Sequence, residues 1–285
     1  MLKGSRYKEY LMADKFSLLR RLIMNNFSVL MYHDIVSKKV FNYDKNQGIK
    51  VKQQYKDKLP KILFNYVEEF EKQMKYLYEN NYITLKLQDI VDFYYNGKSI
   101  PEKSVLITFD DMYKSAKIYA YPILKKYNFS AVGFLVEDWI FHNEEKNSPE
   151  ASICMCENEL IEISDVFEFA NHSKALHTRQ EQGTALQLVD EGEFYSDLKS
   201  CGEFIKNINK NSFDKKYLHK NLTFAYAYPF GVYNERIIHQ LKECGYSLAF
   251  TTKPGINYGD TNPLELCRNA VILDWNMESF IKIFS

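Results

Sequence analysis

The stretch "SVLITFDDMYKSA", residues 104–116, runs from apolar and β-branched residues straight into two adjacent carboxylates. Ser104 to Phe109 read as a buried strand, with Asp110 and Asp111 at its end. Neighbouring carboxylates repel, and neither is buried cheaply without a partner. A turn or a helix cap would use one of them. A pair points to a cation nearby.

Working outward, strands and helices alternate. Downstream come a helix through "AKIYAYPILKKYNF", the strand "AVGFLV" (131–136) ending at Glu137-Asp138-Trp139, and a polar insertion over 142–159. "LIEISDVFEFANHSKALH" follows, then a helix over about 191–209 and the strand-like "LTFAYAYPFG" (222–231). The helix "NERIIHQLKECG" closes at Gly245, as helix C-termini often do. "YSLAFTT" is a further strand and "ELCRNAVILDW" a candidate for another. Upstream lie "FSVLMYHDI" (27–35), a lysine-rich polar stretch over 36–60 and the helix-spaced "ILFNYVEEFEKQMKYLYENNY" (62–82). "ITLKLQDIVDFYYNGK" reads as a short strand and a helix, and residues 5–24 also have helical spacing. This alternation predicts an α/β fold with a parallel sheet, doubly wound or closed into a barrel. His33, Asp110-Asp111, Glu137-Asp138, His172 and "YPFG" each fall at the C-terminal end of a predicted strand. In a barrel those ends converge on the face where active sites are built.

Composition narrows the function classes. A chain of 285 residues fits one α/β barrel domain. Lysine plus arginine equals aspartate plus glutamate at 37 each, so no charge excess favours nucleic acid or an anionic membrane. The five cysteines include one close pair, "CMC", which lacks the spacing of a zinc ribbon. Free thiols in a reducing compartment are expected. The N-terminal 27 residues carry no uninterrupted apolar run, so neither a signal peptide nor a membrane span is expected, and the expected location is cytoplasmic.

His172 and His177 lie five positions apart in "EFANHSKALHT". On a helix that spacing turns the second side chain about 140° from the first, which disfavours one shared metal. A loop folding back after a strand could instead bring both imidazoles to one ion. With one carboxylate of the Asp pair they form a His₂Asp set, and three protein ligands leave an open position as in catalytic zinc sites. The other aspartate is then free to take a proton from water. Taken singly, loop histidines are more often solvated and Asp-Asp pairs more often caps. Their joint placement on one expected rim favours the metal.

"VLITFDD", "HSKALH" and "AYPFG" together resemble the polysaccharide deacetylase family, the NodB-homology carbohydrate esterases (family 4). "LMYHDI", "FEKQMKYLYENNYITL", "IPEKSVLITFDD" and "YPILKKYNFSAVGFLV" keep the same order, so the resemblance runs from about residue 28 to near the end. The four-residue gap between the histidines is similar to the branch that de-N-acetylates β-1,6-linked poly-N-acetylglucosamine. The resemblance implies a distorted (β/α) barrel as a single domain over 28–285, preceded by an N-terminal helical extension over 1–27. It implies Asp110 as general base, and Asp111, His172 and His177 as ligands of a divalent metal: zinc, with cobalt, nickel or iron as alternatives. It also implies the backbone N–H of Phe230 as oxyanion donor, aimed by Pro229 and Gly231. Tyr228, Pro229, Gly231 and Trp275 are the expected substrate contacts, with Leu273 and Trp275 as the expected walls of the acetyl pocket. The implied substrate is an N-acetylated amino sugar or glycan.

The chain departs from the family pattern. Met112 stands where a glycine usually follows "TFDD", and Ala227 and Tyr228 stand where many members have the arginine that orients the base. No late histidine is present as general acid, which leaves His33 or the protonated base. Two alternatives accompany the deacetylase: a metal-dependent hydrolase of another C–N bond, and a degenerate barrel that only binds glycan.

Overall fold

The computed structural model describes residues 25–42, 60–140, 153–211 and 225–284. The expected helical extension over 1–27 lies outside these except for its last residues, and Asn26 and Phe27 already belong to the first strand. The strands are β1 (Asn26–Tyr32), β2 (Asp34–Val36), β3 (Phe64–Tyr66), β4 (Ile83–Thr84), β5 (Ser104–Asp110), β6 (Ala131–Leu135) and β7 (Phe167–Asn171). After them come β8 (Arg179–Gln180), β9 (Gly183–Thr184), β10 (Ala225–Ala227), β11 (Leu248–Phe250), β12 (Ile256–Tyr258) and β13 (Asn269–Ala270). The principal helices are α1 (Val67–Glu79), α2 (Leu87–Tyr95), α3 (Tyr121–Lys126), α4 (Glu157–Glu162), α5 (Glu191–Asn211) and α6 (Glu235–Glu243).

The main sheet runs β11-β10-β7-β6-β5-β1-β12 and is parallel except at β12. It curls into the expected distorted barrel, a single domain whose ring of strands does not close. One segment crosses the gap. Leu266 exchanges backbone hydrogen bonds with Ala249 and Thr251 beside β11, and Asn269 then pairs with Leu30 of β1. "ELCRNAVILDW" is therefore mostly a bridging segment, with only Asn269–Ala270 as strand.

β5 is buried along its whole length, so its alternation faces two apolar environments rather than one. Val105, Ile107 and Phe109 pack with Tyr32, Phe70 and Leu124 under the helices. Leu106 packs inside the barrel with Val29, Val132, Phe134, Ala227 and Phe250. The interior parity continues through Thr108 to Asp110, which brings the first carboxylate to the top of the barrel.

Two local expectations change. The helix expected over 62–82 is interrupted: a short helical turn over Pro60–Leu63 gives way to Phe64–Tyr66, which pairs with β2 as a strand, and the long helix begins at Val67. Most of the polar insertion expected over 142–159 lies outside the described residues; in its described part the Lys114 and Met155 N–H groups bond to the Ile153 and Met112 carbonyls, so residues 153–155 run antiparallel against the turn after β5. All five cysteines are free thiols. Among the described residues no helix is long and apolar enough to cross a membrane.

Candidate active site

The carboxylate that β5 carries inward meets a buried arginine. Arg268 Nη1 and Nη2 donate to Asp110 Oδ1 and Oδ2 at 2.6 and 2.8 Å, and Arg268 Nε donates to Thr251 O at 2.8 Å. Arg268 is fully buried on the bridging segment, and Asp110 is 3% exposed. Burial pushes the Asp110 carboxyl up, but the charges of Arg268, His172 and His33 outweigh it and hold it well below the usual carboxylate range. Asp110 is ionised at neutral pH.

Asp111 and Met112 turn the chain sharply, with φ of 66° and 51°. Both are left-handed, a conformation that non-glycine residues adopt only under constraint. The 153–155 stretch supplies part of that constraint. Cys154 Sγ donates to Asp111 O at 3.0 Å, and Met155 N donates to Met112 O at 3.0 Å. The Met112 side chain fits because Gly133 faces it: a Cβ there would lie 2.2 Å from Met112 Sδ. Met112 is thus accommodated where the family pattern has glycine, by the absence of a side chain on the next strand.

His172 follows β7, and its Nδ1 donates to Ala227 O at 2.8 Å. That bond leaves the Nε2 lone pair facing Asp111 Oδ1 at 3.8 Å. The loop after His172 folds back, so His177 Nε2 comes to 3.9 Å from the same oxygen. The His177 ring lies between Trp139 and Phe230, at 4.8 and 4.3 Å between centroids. Burial lowers the pKa of both imidazoles, with the His172 charge adding to the effect at His177, so both are neutral. Burial and then the Asp110 charge raise that of Asp111, whose buried Oδ1 has no hydrogen-bond donor.

These three donor atoms lie within 4.8 Å of one another. Ligand atoms around a tetrahedral zinc with bonds near 2.1 Å are separated by about 3.4 Å. Two neutral imidazoles and a buried carboxylate oxygen lacking a donor fit a divalent cation.

Above them the turn Tyr228–Gly231 follows β10. Phe230 (φ 58°) and Gly231 (φ 69°) are left-handed. The Gly231 and Val232 N–H groups bond to Tyr228 O and Pro229 O, and that of Phe230 is used by neither bond. Gly231 is sterically required, since a Cβ would sit 2.0 Å from Thr252 Oγ1. The Arg179 guanidinium carbon lies 3.9 Å above the Phe230 ring. His33 Nε2 approaches Asp110 Oδ2 at 3.9 Å from one side, and His172 Nε2 approaches it at 3.8 Å. Burial chiefly holds the His33 pKa down at about 4.

The structure thus gathers Asp110, Asp111, His172, His177 and the Phe230 turn. It does not present Tyr228 to a ligand: that residue is fully buried, its hydroxyl donates to Leu264 O, and its ring stacks on Tyr233. Pro229 is buried as well, so its part is to shape the turn. Trp275 is half-buried against the core under the helices, and Leu273 packs with Val36 and Phe64. Sequence reasoning missed Arg268. Its only local signal was a lone cation inside the apolar run "LCRNAVIL".

The sequence pattern of the polysaccharide deacetylase family matches residues 97–249. The chain is 28% identical to the poly-beta-1,6-N-acetyl-D-glucosamine N-deacetylase of Staphylococcus aureus strain N315, over 98% of this chain and 85% of that protein. Two solved structures share the fold. Streptococcus pyogenes deacetylase PplD, in complex with acetate, superposes with a TM-score of 0.70 at 20% identity over 91% of this chain and 98% of that one. IcaB from Ammonifex degensii superposes with a TM-score of 0.66 at 22% identity, covering 91% and 95%.

Proposed function

Because the chain belongs to the polysaccharide deacetylase family, we propose that it hydrolyses the N-acetyl group of N-acetylglucosamine units in a β-1,6-linked glycan. The glycan is taken from the Staphylococcus aureus relative, similar over nearly the whole chain. The observation that carries the catalytic part is the division of labour between the two aspartates. Asp110 is ion-paired to Arg268, while Asp111 turns a donor-free oxygen toward two neutral imidazoles.

Asp111, His172 and His177 would hold a divalent metal, zinc in the first instance. Bound there, it supplies Lewis acidity, which acidifies water and polarises the acetyl carbonyl. Asp110 accepts the proton of the attacking water. A carboxylate held this far below its usual range takes a proton only from an acidified donor, and it passes that proton on readily. The Phe230 N–H donates to the oxygen on which negative charge develops, in a turn whose left-handed backbone is already set. The C–N bond then breaks, acetate leaves, and the amine takes up a proton. Asp110, which has just received one, delivers it; His33, 3.9 Å away and uncharged at neutral pH, can act only by relaying that proton.

The test is metal analysis of protein purified without chelator, with acetate release measured on β-1,6-linked N-acetylglucosamine oligomers. About one metal per chain together with acetate is the expected result. Metal without acetate would redirect the activity to another C–N bond. No metal after reconstitution with zinc, cobalt and iron would leave a glycan-binding barrel.

A further inference from the structure

The loop that makes the two histidines converge is built from side-chain acceptors. Four successive amides donate to side chains: Ser173 N to Asn171 Oδ1 (2.7 Å), Lys174 N to Asp197 Oδ1 (2.9 Å), Ala175 N to Asp197 Oδ2 (2.9 Å) and Leu176 N to Ser173 Oγ (2.8 Å). Two of the four thus end on one carboxylate carried by another element, α5. Asp197 is 6% exposed and touches neither histidine through these bonds. On the other side of the loop, Glu137 and Asp138 N–H groups bond to the Ser173 and Lys174 carbonyls at 3.1 and 3.0 Å. Ser173 itself is left-handed at φ 89°. The loop is therefore clamped between α5 and the turn after β6, and the clamp brings the imidazole rings to 4.7 Å.

We propose that Asp197 is a positioning residue for the metal site: by accepting two successive backbone N–H groups it imposes the reversal that points both Nε2 atoms at Asp111. The proposal rests on the metal reading of the Asp111, His172 and His177 cluster. A carboxylate suits the task because it offers two equivalent acceptors and charge-assisted bonds of roughly twice the neutral strength. An asparagine offers one acceptor and turns its NH₂ toward the second amide. An alanine offers none. Neither change touches a ligand, yet groups that orient metal ligands typically govern affinity by about 10- to 100-fold.

The experiment uses the full chain stripped of metal, titrated with zinc ion against a chromophoric chelator, for wild type, Asp197→Asn, Asp197→Ala and His172→Ala. Amide exchange is followed in parallel at residues 174–175 and in β5. Zinc affinity is expected to fall about tenfold in Asp197→Asn and about a hundredfold in Asp197→Ala. Amides 174 and 175 should lose protection while β5 keeps its own. If Asp197→Ala does not fold, Asp197→Asn decides. Wild-type zinc affinity in Asp197→Asn overturns the proposal alone, as does a loss of affinity that merely tracks lost protection in β5. Failure of the wild type to bind zinc any better than His172→Ala overturns both this proposal and the metal reading beneath it.

Discussion

Replacing Arg268 with methionine removes a guanidinium that is fully buried and forks onto both oxygens of Asp110 at 2.6 and 2.8 Å. Methionine fills a similar length without a charge, so the change isolates the ion pair from the packing. Breaking one side of a buried pair typically destabilises by about 3–5 kcal/mol, because the remaining charge is left alone in a poor solvent. The carboxylate escapes that cost by taking up a proton. In the wild type, burial is outweighed by Arg268 and the histidines, so the native pKa of Asp110 lies below the unfolded value near 3.9. Its stabilising contribution is then fully present above about pH 4 and lost as pH falls through the depressed native value. In Arg268→Met burial dominates, the native pKa moves above the unfolded one, and this group's contribution falls as pH rises. The acid limb of the kcat/KM profile should move to higher pH with it. Arg268→Lys keeps the charge but loses the fork. Losing one charge-assisted bond worth about 1.5–3 kcal/mol should lower kcat about 10- to 150-fold. The assays are acetate release across the neutral pH range and denaturant unfolding at two pH values. An Arg268→Met protein with the wild-type pH profile and the wild-type sign of pH-dependent stability would refute the claim that Arg268 holds Asp110 ionised.

Three further outcomes are expected. Gly231→Ala places a methyl 2.0 Å from Thr252 Oγ1 in a left-handed residue, so it should cost about 1–3 kcal/mol in unfolding and lower kcat more than it raises KM, because the Phe230 N–H moves. Gly133→Ala collides with Met112 Sδ at 2.2 Å and should destabilise by about 1–3 kcal/mol, a loss that Met112→Ala partly reverses in the double variant; strictly additive effects would separate the two residues. His172→Ala should lose metal and activity together, whereas Asp110→Asn should keep metal and lose turnover, since an amide cannot take the proton. Metal loss in Asp110→Asn would exchange the roles of the two aspartates.

Much of this molecule was legible in its chain because the deciding signals are local. A buried strand ending on two carboxylates, strands alternating with helices, and polar residues at strand ends require only neighbouring positions to be read, and they led to an α/β fold with a parallel sheet and polar residues at its strand ends; the barrel itself was implied by the family resemblance. The two histidines were legible as a pair, but the helical argument against their spacing is removed only by the loop clamped between α5 and the turn after β6. Met112 shows the same boundary. Its departure from the family pattern was visible, while the space that accommodates it depends on Gly133 of the adjacent strand.

The identity of Asp110's partner belonged to tertiary structure altogether. Lys114, four residues on in the chain, pairs with Glu159 instead, and Arg268 stands 158 positions away on a segment whose path follows from bridging an unclosed sheet. Tyr228 errs in the opposite direction, a residue inside a motif that packing turns into the core. Residue type and periodicity determine which elements form and which face is buried, because those preferences act within a few residues. Which side chains meet across the barrel, and which of two adjacent carboxylates receives a counter-charge, is decided by strand register and by the route of the closing segment.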